Sequence, residues 1–199
     1  MKYLPRLFEN NARWASRITS SDPHFFERLS AIQRPEYLWI GCSDSRVPAS
    51  HIVGLDPGEM FVHRNIANIV VPTDPNCMAV LEFAINTLEV DHVIVCGHYN
   101  CGGVRAALEG NASGFVGEWL TPLVQFSRRK PELLDETEAF DSRWAKLCEM
   151  NVMKQVETLT RTDVVRNAWK MKRRVTLHGW IYSLRDGLLR DLGVSVAQA

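Results

Sequence analysis

Apolar and polar positions follow two rhythms along this chain. Residues 2 to about 19 set Leu4, Leu7, Phe8, Trp14 and Ile18 among polar neighbours, the spacing of a helix with one apolar stripe. Such a helix is not stable alone; it needs the rest of the chain or a partner to lie on. Ser21-Asp22-Pro23 is a helix start signal, and Phe25, Phe26, Leu29 and Ile32 follow it. Past Pro35 the pattern changes. Tyr37 to Gly41 and Val93 to Gly97 are short apolar runs that read as buried strands, and Met60 to Arg64 alternates like another. Asn65 to Asn68 read as a loop. Helical spacing returns after Asp74-Pro75-Asn76, through Cys77, Val80, Leu81, Ala84, Ile85 and Leu88, and again after Gly102-Gly103. Phe115 to Lys130 reads as a helix broken by Pro122. The acidic stretch 132 to 142 opens a longer helix that continues through Trp144, Leu147, Val152, Val156 and Leu159. Thr162 or Asp163 caps the next, Val175 to Tyr182 is the last clear strand, and Leu184 to Gly193 is a turn with a short strand or helix. Strand and helix alternate, which predicts an α/β fold, a single domain with a mostly parallel central sheet flanked by helices. We expect one domain over 1–199: a helical arm over 1–34, the α/β core over 35–110, and helices with a final edge strand over 111–199.

Composition narrows the class without naming a function. A chain of 199 residues, 46% hydrophobic and 23% charged, has enough material for one well-buried core. Its formal net charge is zero, so nothing predicts a nucleic-acid partner. No stretch approaches the roughly 20 apolar residues of a membrane helix. Residues 1–7 lack the apolar core of a signal peptide, and a cytoplasmic protein is the expectation. The basic cluster Lys170 to Arg174 reads as a solvated helix end, where cations complement the dipole. The five cysteines are odd in number and not spaced as a secreted disulfide framework. Cys77, Cys96 and Cys148 read as small buried hydrophobes. No Cys-x-x-Cys pair is present, which argues against a redox role.

The remaining two cysteines are different. Cys42-Ser43-Asp44-Ser45-Arg46 follows the first apolar strand, and His98-Tyr99-Asn100-Cys101 follows the run Val93 to Gly97. Carboxyl ends of parallel strands form the ligand-binding edge of an open sheet. Two sulfurs, an imidazole and a carboxylate match the borderline-soft preference of Zn²⁺, so Cys42, Asp44, His98 and Cys101 are the candidate ligands. Asp44 is the ligand able to leave, because Arg46 two residues on offers a bidentate partner. With Asp44 on Arg46 the fourth position opens to water, whose pKa on zinc is near ~7, and the resulting hydroxide can attack a small electrophilic carbon. His24, His51, His63, His92 and His178 read as surface or packed histidines.

Together these motifs, with Gly102-Gly103, resemble the β-class carbonic anhydrases, and the likeness runs from the amino-terminal helix to His178-Gly179-Trp180-Ile181-Tyr182. The resemblance implies reversible hydration of CO₂ to bicarbonate and a proton, and one Zn²⁺ per subunit. It also implies four parallel strands with a further strand at one edge, and a homodimer or dimer of dimers whose amino-terminal arms pack on the neighbouring subunit. It assigns Asp44 and Arg46 as a catalytic dyad, Gln33 as a substrate-side donor often reaching across the dimer, Phe61 as an apolar wall, and the Gly102 N–H as a bicarbonate contact. Trp39, Arg64 and Tyr182 resemble the bicarbonate-regulated subclass, in which a second, non-catalytic bicarbonate site and low pH favour a closed state with Asp44 on zinc and Val47 displaced. Two alternatives stay open: a non-catalytic zinc and anion-binding protein, and a hydrolase of a sulfur analogue of CO₂ on the same scaffold.

Overall fold

The structure, a computed structural model, describes residues 3–31, 33–130 and 137–198. It divides into two compact units, Met1–Arg34 and Pro35–Ala199. The first holds α1 (Pro5–Ser21) and α2 (Phe25–Ala31). Pro5 stands in the first turn of α1, where its missing N–H costs nothing. The α1 stripe is solvent-facing, with Leu7 and Phe8 exposed, while Trp14 meets Phe26 of α2 edge to face.

The second unit is an α/β sheet. Its elements are β1 (Tyr37–Cys42), α3 (Ala49–Ile52), β2 (Met60–Asn65), α4 (Pro75–Glu82), β3 (His92–His98), α5 (Gly102–Glu109), α6 (Gly114–Ser127), α7 (Phe140–Thr160), α8 (Asp163–Lys170), β4 (Thr176–Tyr182), β5 (Leu189–Asp191) and β6 (Val196–Ala197). The sheet order is β2-β1-β3-β4-β5, and β6 also pairs with β4. The pairs β1–β2, β1–β3 and β3–β4 are parallel, and β5 and β6 are antiparallel additions at the β4 edge. β1 and β3 are buried nearly throughout, as parallel strands covered on both faces must be.

One face carries Leu38, Ile40, Val93, Val95 and Leu177 against Leu81, Val156 and Leu159 of the helices. Each such side chain contributes roughly 1.5–3 kcal/mol through burial. Gly97 and Gly179, on β3 and β4, let α7 come close: a Cβ there would lie 2.6 and 3.3 Å from the methyl groups of Val152. The other face carries Trp39, Ile94 and Cys96, with Tyr37, Trp180 and Tyr182 packed around them.

Several local expectations needed correction. Ile66–Asn68 form a short 3-10 turn rather than an open loop. α6 runs unbroken through Pro122, because Leu120 and Leu123 are fully buried on either side and packing outweighs the lost hydrogen bond. The helix expected to begin in 132–142 falls partly outside the described residues; among those described it begins at Phe140. After α4 the chain continues as a π-turn over Phe83–Thr87, and β6 had no counterpart in the sequence pattern. Cys77, Cys96 and Cys148 are buried as expected. Among the described residues no helix is long and apolar enough to cross a membrane.

Candidate metal centre

Parallel register puts the carboxyl ends of β1 and β3 side by side: Gly41 faces Cys96, and each strand then releases its loop. Cys42 closes β1, His98 closes β3, and Cys101 is the cap residue of α5. One donor atom from each lies within 4.8 Å of the others, and all three residues are buried. The Cys42 and Cys101 sulfurs are 3.7 Å apart. Two thiolates bound at about 2.3 Å with a tetrahedral angle sit about 3.8 Å apart, so the spacing fits zinc.

His98 supplies the sharper observation. Its Nδ1 lies 2.9 Å from the Tyr99 carbonyl, which makes Nδ1 the protonated nitrogen and leaves a lone pair on Nε2. That Nε2 is buried and, among the described residues, has no hydrogen-bond partner. A buried polar atom without a partner costs about 1–3 kcal/mol, and ligation is the use that offsets it. The Cys42 thiol is lowered below its ordinary value, first by the hydrogen bond with Cys101 and further by His98 and by the N–H groups of Asp44 and Ala67, against the effect of burial. Cys101 is raised, chiefly by that same bond to Cys42 and then by burial.

Asp44 is not turned fully toward these ligands. Its Oδ1 accepts from the Arg46 N–H and Nε, each at 2.9 Å, and its Oδ2 accepts from an Arg46 Nη at 2.6 Å. The Arg46 side chain holds the Asp44 carboxyl well below the usual carboxylate range. Oδ2 remains 3.7 Å from His98 Nε2, beyond hydrogen-bond length but at the rim of the three donors. Arg64 Nε donates to the Cys42 carbonyl at 2.9 Å and an Nη donates to the Asp44 carbonyl, so this loop hangs between two arginines.

The other residues singled out lie at varying removes. Gly102 is the first residue of α5, exposed, with open space where a Cβ would be. Gly103 is different: a Cβ there would lie 2.7 Å from Ile66 Cγ2 and 3.2 Å from Ala67 Cβ. Phe61 sits opposite Leu38 on β2, about 13 Å back along the sheet from Cys42, and its ring lies 5.9 Å from that of Phe83. Gln33 is exposed and belongs to the amino-terminal unit. Strand register places Trp39, Arg64 and Tyr182 on one sheet face. Trp39 is buried with its ring 6.5 Å from Trp180, and Tyr182 packs in the same cluster.

The pattern of apolar and polar positions gave no sign of three supports. Trp144 Nε1 donates to the Cys101 carbonyl at 3.0 Å. Asn151 Nδ2 donates to the Ala67 carbonyl at 2.8 Å, and Gln155 Oε1 accepts from the Val70 N–H at 3.0 Å. All three residues lie on α7, and their polar atoms are aimed at loops far away in sequence.

Residues 37–189 match the family model described as carbonic anhydrase. The carbonic anhydrase of Emericella nidulans is 45% identical over 189 residues, covering 95% of this chain and 83% of that protein. A structure from the ascomycete Sordaria macrospora, one of two described as tetrameric β-carbonic anhydrases, superposes with a TM-score of 0.93 at 38% identity, over 99% of this chain and 100% of that one. A Coccomyxa β-carbonic anhydrase in complex with acetazolamide gives 0.92 at 34% identity, over 98% and 89%.

Proposed function

The chain belongs to the β-class carbonic anhydrases, and on that premise we propose that it hydrates CO₂ reversibly to bicarbonate and a proton, with one zinc per subunit held by Cys42, His98 and Cys101. The observation that carries the reading is the buried His98 Nε2, without a hydrogen-bond partner among the described residues, beside two sulfurs 3.7 Å apart. Bound there, zinc supplies the Lewis acidity that brings the pKa of water to about 7. The chain's own groups do the rest. Asp44, clamped by Arg46, accepts a hydrogen bond from the attacking water and orients it toward the carbon of CO₂. Arg46 keeps that carboxylate ionised and off the metal; released, Asp44 is the exchangeable fourth ligand. The Gly102 N–H donates to an oxygen of the bicarbonate product. Phe61 serves as an apolar wall for the substrate, and Gln33 as a substrate-side donor reaching across the dimer from the neighbouring subunit. The exposed Val62 and Ile66 near the β2 edge and the bare stripe of α1 support an assembly of dimers or tetramers.

Bicarbonate regulation is part of the same proposal. Trp39, Arg64 and Tyr182 share a sheet face, and Arg64 also holds the Cys42 and Asp44 carbonyls. An anion that drew the guanidinium away would loosen the loop carrying Asp44 and favour its move onto the metal. A ligand that binds one state better shifts the population toward it. Low pH acts in the same direction.

Stopped-flow CO₂ hydration with the purified, zinc-assayed protein from pH 6.5 to 9 tests the main reading. Turnover rising toward alkaline pH is expected. Bound zinc without turnover at any alkaline pH would instead leave a non-catalytic anion-binding protein, and turnover confined to a sulfur analogue of CO₂ would reassign the substrate. For the regulatory part, Trp39→Phe and Tyr182→Phe should weaken bicarbonate inhibition while retaining zinc. Unchanged inhibition in both removes it.

A further inference from the structure

Behind Cys42 the chain makes an unusual turn. Ala67 and Asn68 both have left-handed backbones, φ 63° and 47°, with no glycine to relieve them. For a residue bearing a Cβ, such a conformation costs on the order of 1–3 kcal/mol and persists only where surrounding contacts hold it. Asn65 holds one side: its amide donates to the Ile69 carbonyl and accepts from the Ile69 N–H, both at 2.8 Å. The other side is held from α7 by a one-way chain of hydrogen bonds. The Val70 N–H donates to Gln155 Oε1 at 3.0 Å, Gln155 Nε2 donates to Asn151 Oδ1 at 2.7 Å, and Asn151 Nδ2 donates to the Ala67 carbonyl at 2.8 Å. Turning either amide over would set like atoms face to face. Asn151 is 0% and Gln155 5% exposed, so neither is there for solubility. What the turn delivers is a wall for the ligand: Ala67 is fully buried in the same cluster as Cys42 and Cys101, and strand register sets Cys42 beside Asn65, where the turn begins.

We propose that Asn151 and Gln155 are positioning residues for Cys42, which hold the left-handed Ala67–Asn68 turn packed against it and so keep the ligand sulfur in place for metal binding. The proposal rests on the reading of Cys42 as a zinc ligand. Outer residues that fix where a ligand atom sits are worth about 10- to 100-fold in metal affinity. An apolar residue at 151 would strand both the Ala67 carbonyl and Gln155 Nε2, and the strained turn would relax.

The test uses the full chain in four forms: wild type, Asn151→Leu, Gln155→Met, and Val156→Ala as a core truncation on the same helix. Zinc affinity is measured by competition with a chromophoric chelator, and the sulfur-to-metal absorption bands are recorded after cobalt substitution. Asn151→Leu and Gln155→Met should each lose about 10- to 100-fold in zinc affinity and shift the cobalt bands. Val156→Ala should lower the melting temperature and leave both readouts alone. If Asn151→Leu does not fold, Gln155→Met decides. Wild-type affinity and spectrum in a folded Asn151 or Gln155 variant overturns the proposal, as does an equal loss in Val156→Ala. A wild type that binds no zinc sinks the metal reading and this brace with it; a zinc-tight wild type with indifferent variants sinks the brace alone.

Discussion

Arg46→Ala is the most informative single change, because it frees Asp44 without altering any candidate ligand. Arg46 gives Asp44 two side-chain hydrogen bonds, at 2.9 and 2.6 Å, and its backbone N–H gives a third that alanine would keep. Charge-assisted bonds are worth about 1.5–3 kcal/mol each when well buried. Here the arginine side chain is 56% exposed and the aspartate 17%, so solvent screening takes a large share. Losing the two together still shifts the balance from clamped toward free carboxylate. A freed Asp44 starts with Oδ2 already 3.7 Å from His98 Nε2 and can close on the metal position. We expect kcat for CO₂ hydration in Arg46→Ala to fall about 10- to 100-fold at pH 8, with zinc content unchanged. Arg46→Lys keeps the charge but loses the fork geometry and should lie between. Stopped-flow hydration together with metal analysis checks both. Turnover within twofold of wild type in Arg46→Ala would refute the clamp.

Three further outcomes follow from the geometry. Cys101→Ser should bind zinc far more weakly than wild type, and chelator treatment of the wild type should lower its melting temperature, since a metal bound only by the folded chain stabilises it by mass action; metal analysis and calorimetry check this. Gly103→Ala forces a Cβ to 2.7 Å from Ile66 Cγ2 and should destabilise by about 1–3 kcal/mol in urea unfolding, with an ordinary melting curve counting against the close approach. The His178 imidazole is lowered below its ordinary value by burial and then by His92, while Asp191 raises it. The unfolded chain therefore binds the proton more readily, and the group's contribution is full above about pH 6.5 and lost as pH falls through the lower folded value. Unfolding midpoints taken from pH 7.5 down to 5 should fall less steeply in His178→Gln than in wild type; parallel slopes would contradict this.

The alternation of apolar runs and helical stripes was enough to predict a parallel α/β sheet, and the residue types after the first and third strands were enough to single out Cys42, His98 and Cys101. Those signals are local: burial periodicity is written in each segment, and a metal-ligand chemistry is written in the side chains themselves. Strand register is not local. Only the pairing of β1 with β3 brings two sulfurs 59 residues apart to 3.7 Å, and only the Tyr99 carbonyl decides which nitrogen of His98 is left free. The same holds for Asp44 resting on Arg46, for α6 passing through Pro122, and for Asn151 and Gln155. A buried amide on a helix looks, in sequence, like any polar residue near an apolar stripe. Its partner is a carbonyl 84 residues away, and a hydrogen bond of that kind leaves no mark in the pattern until the chain has folded.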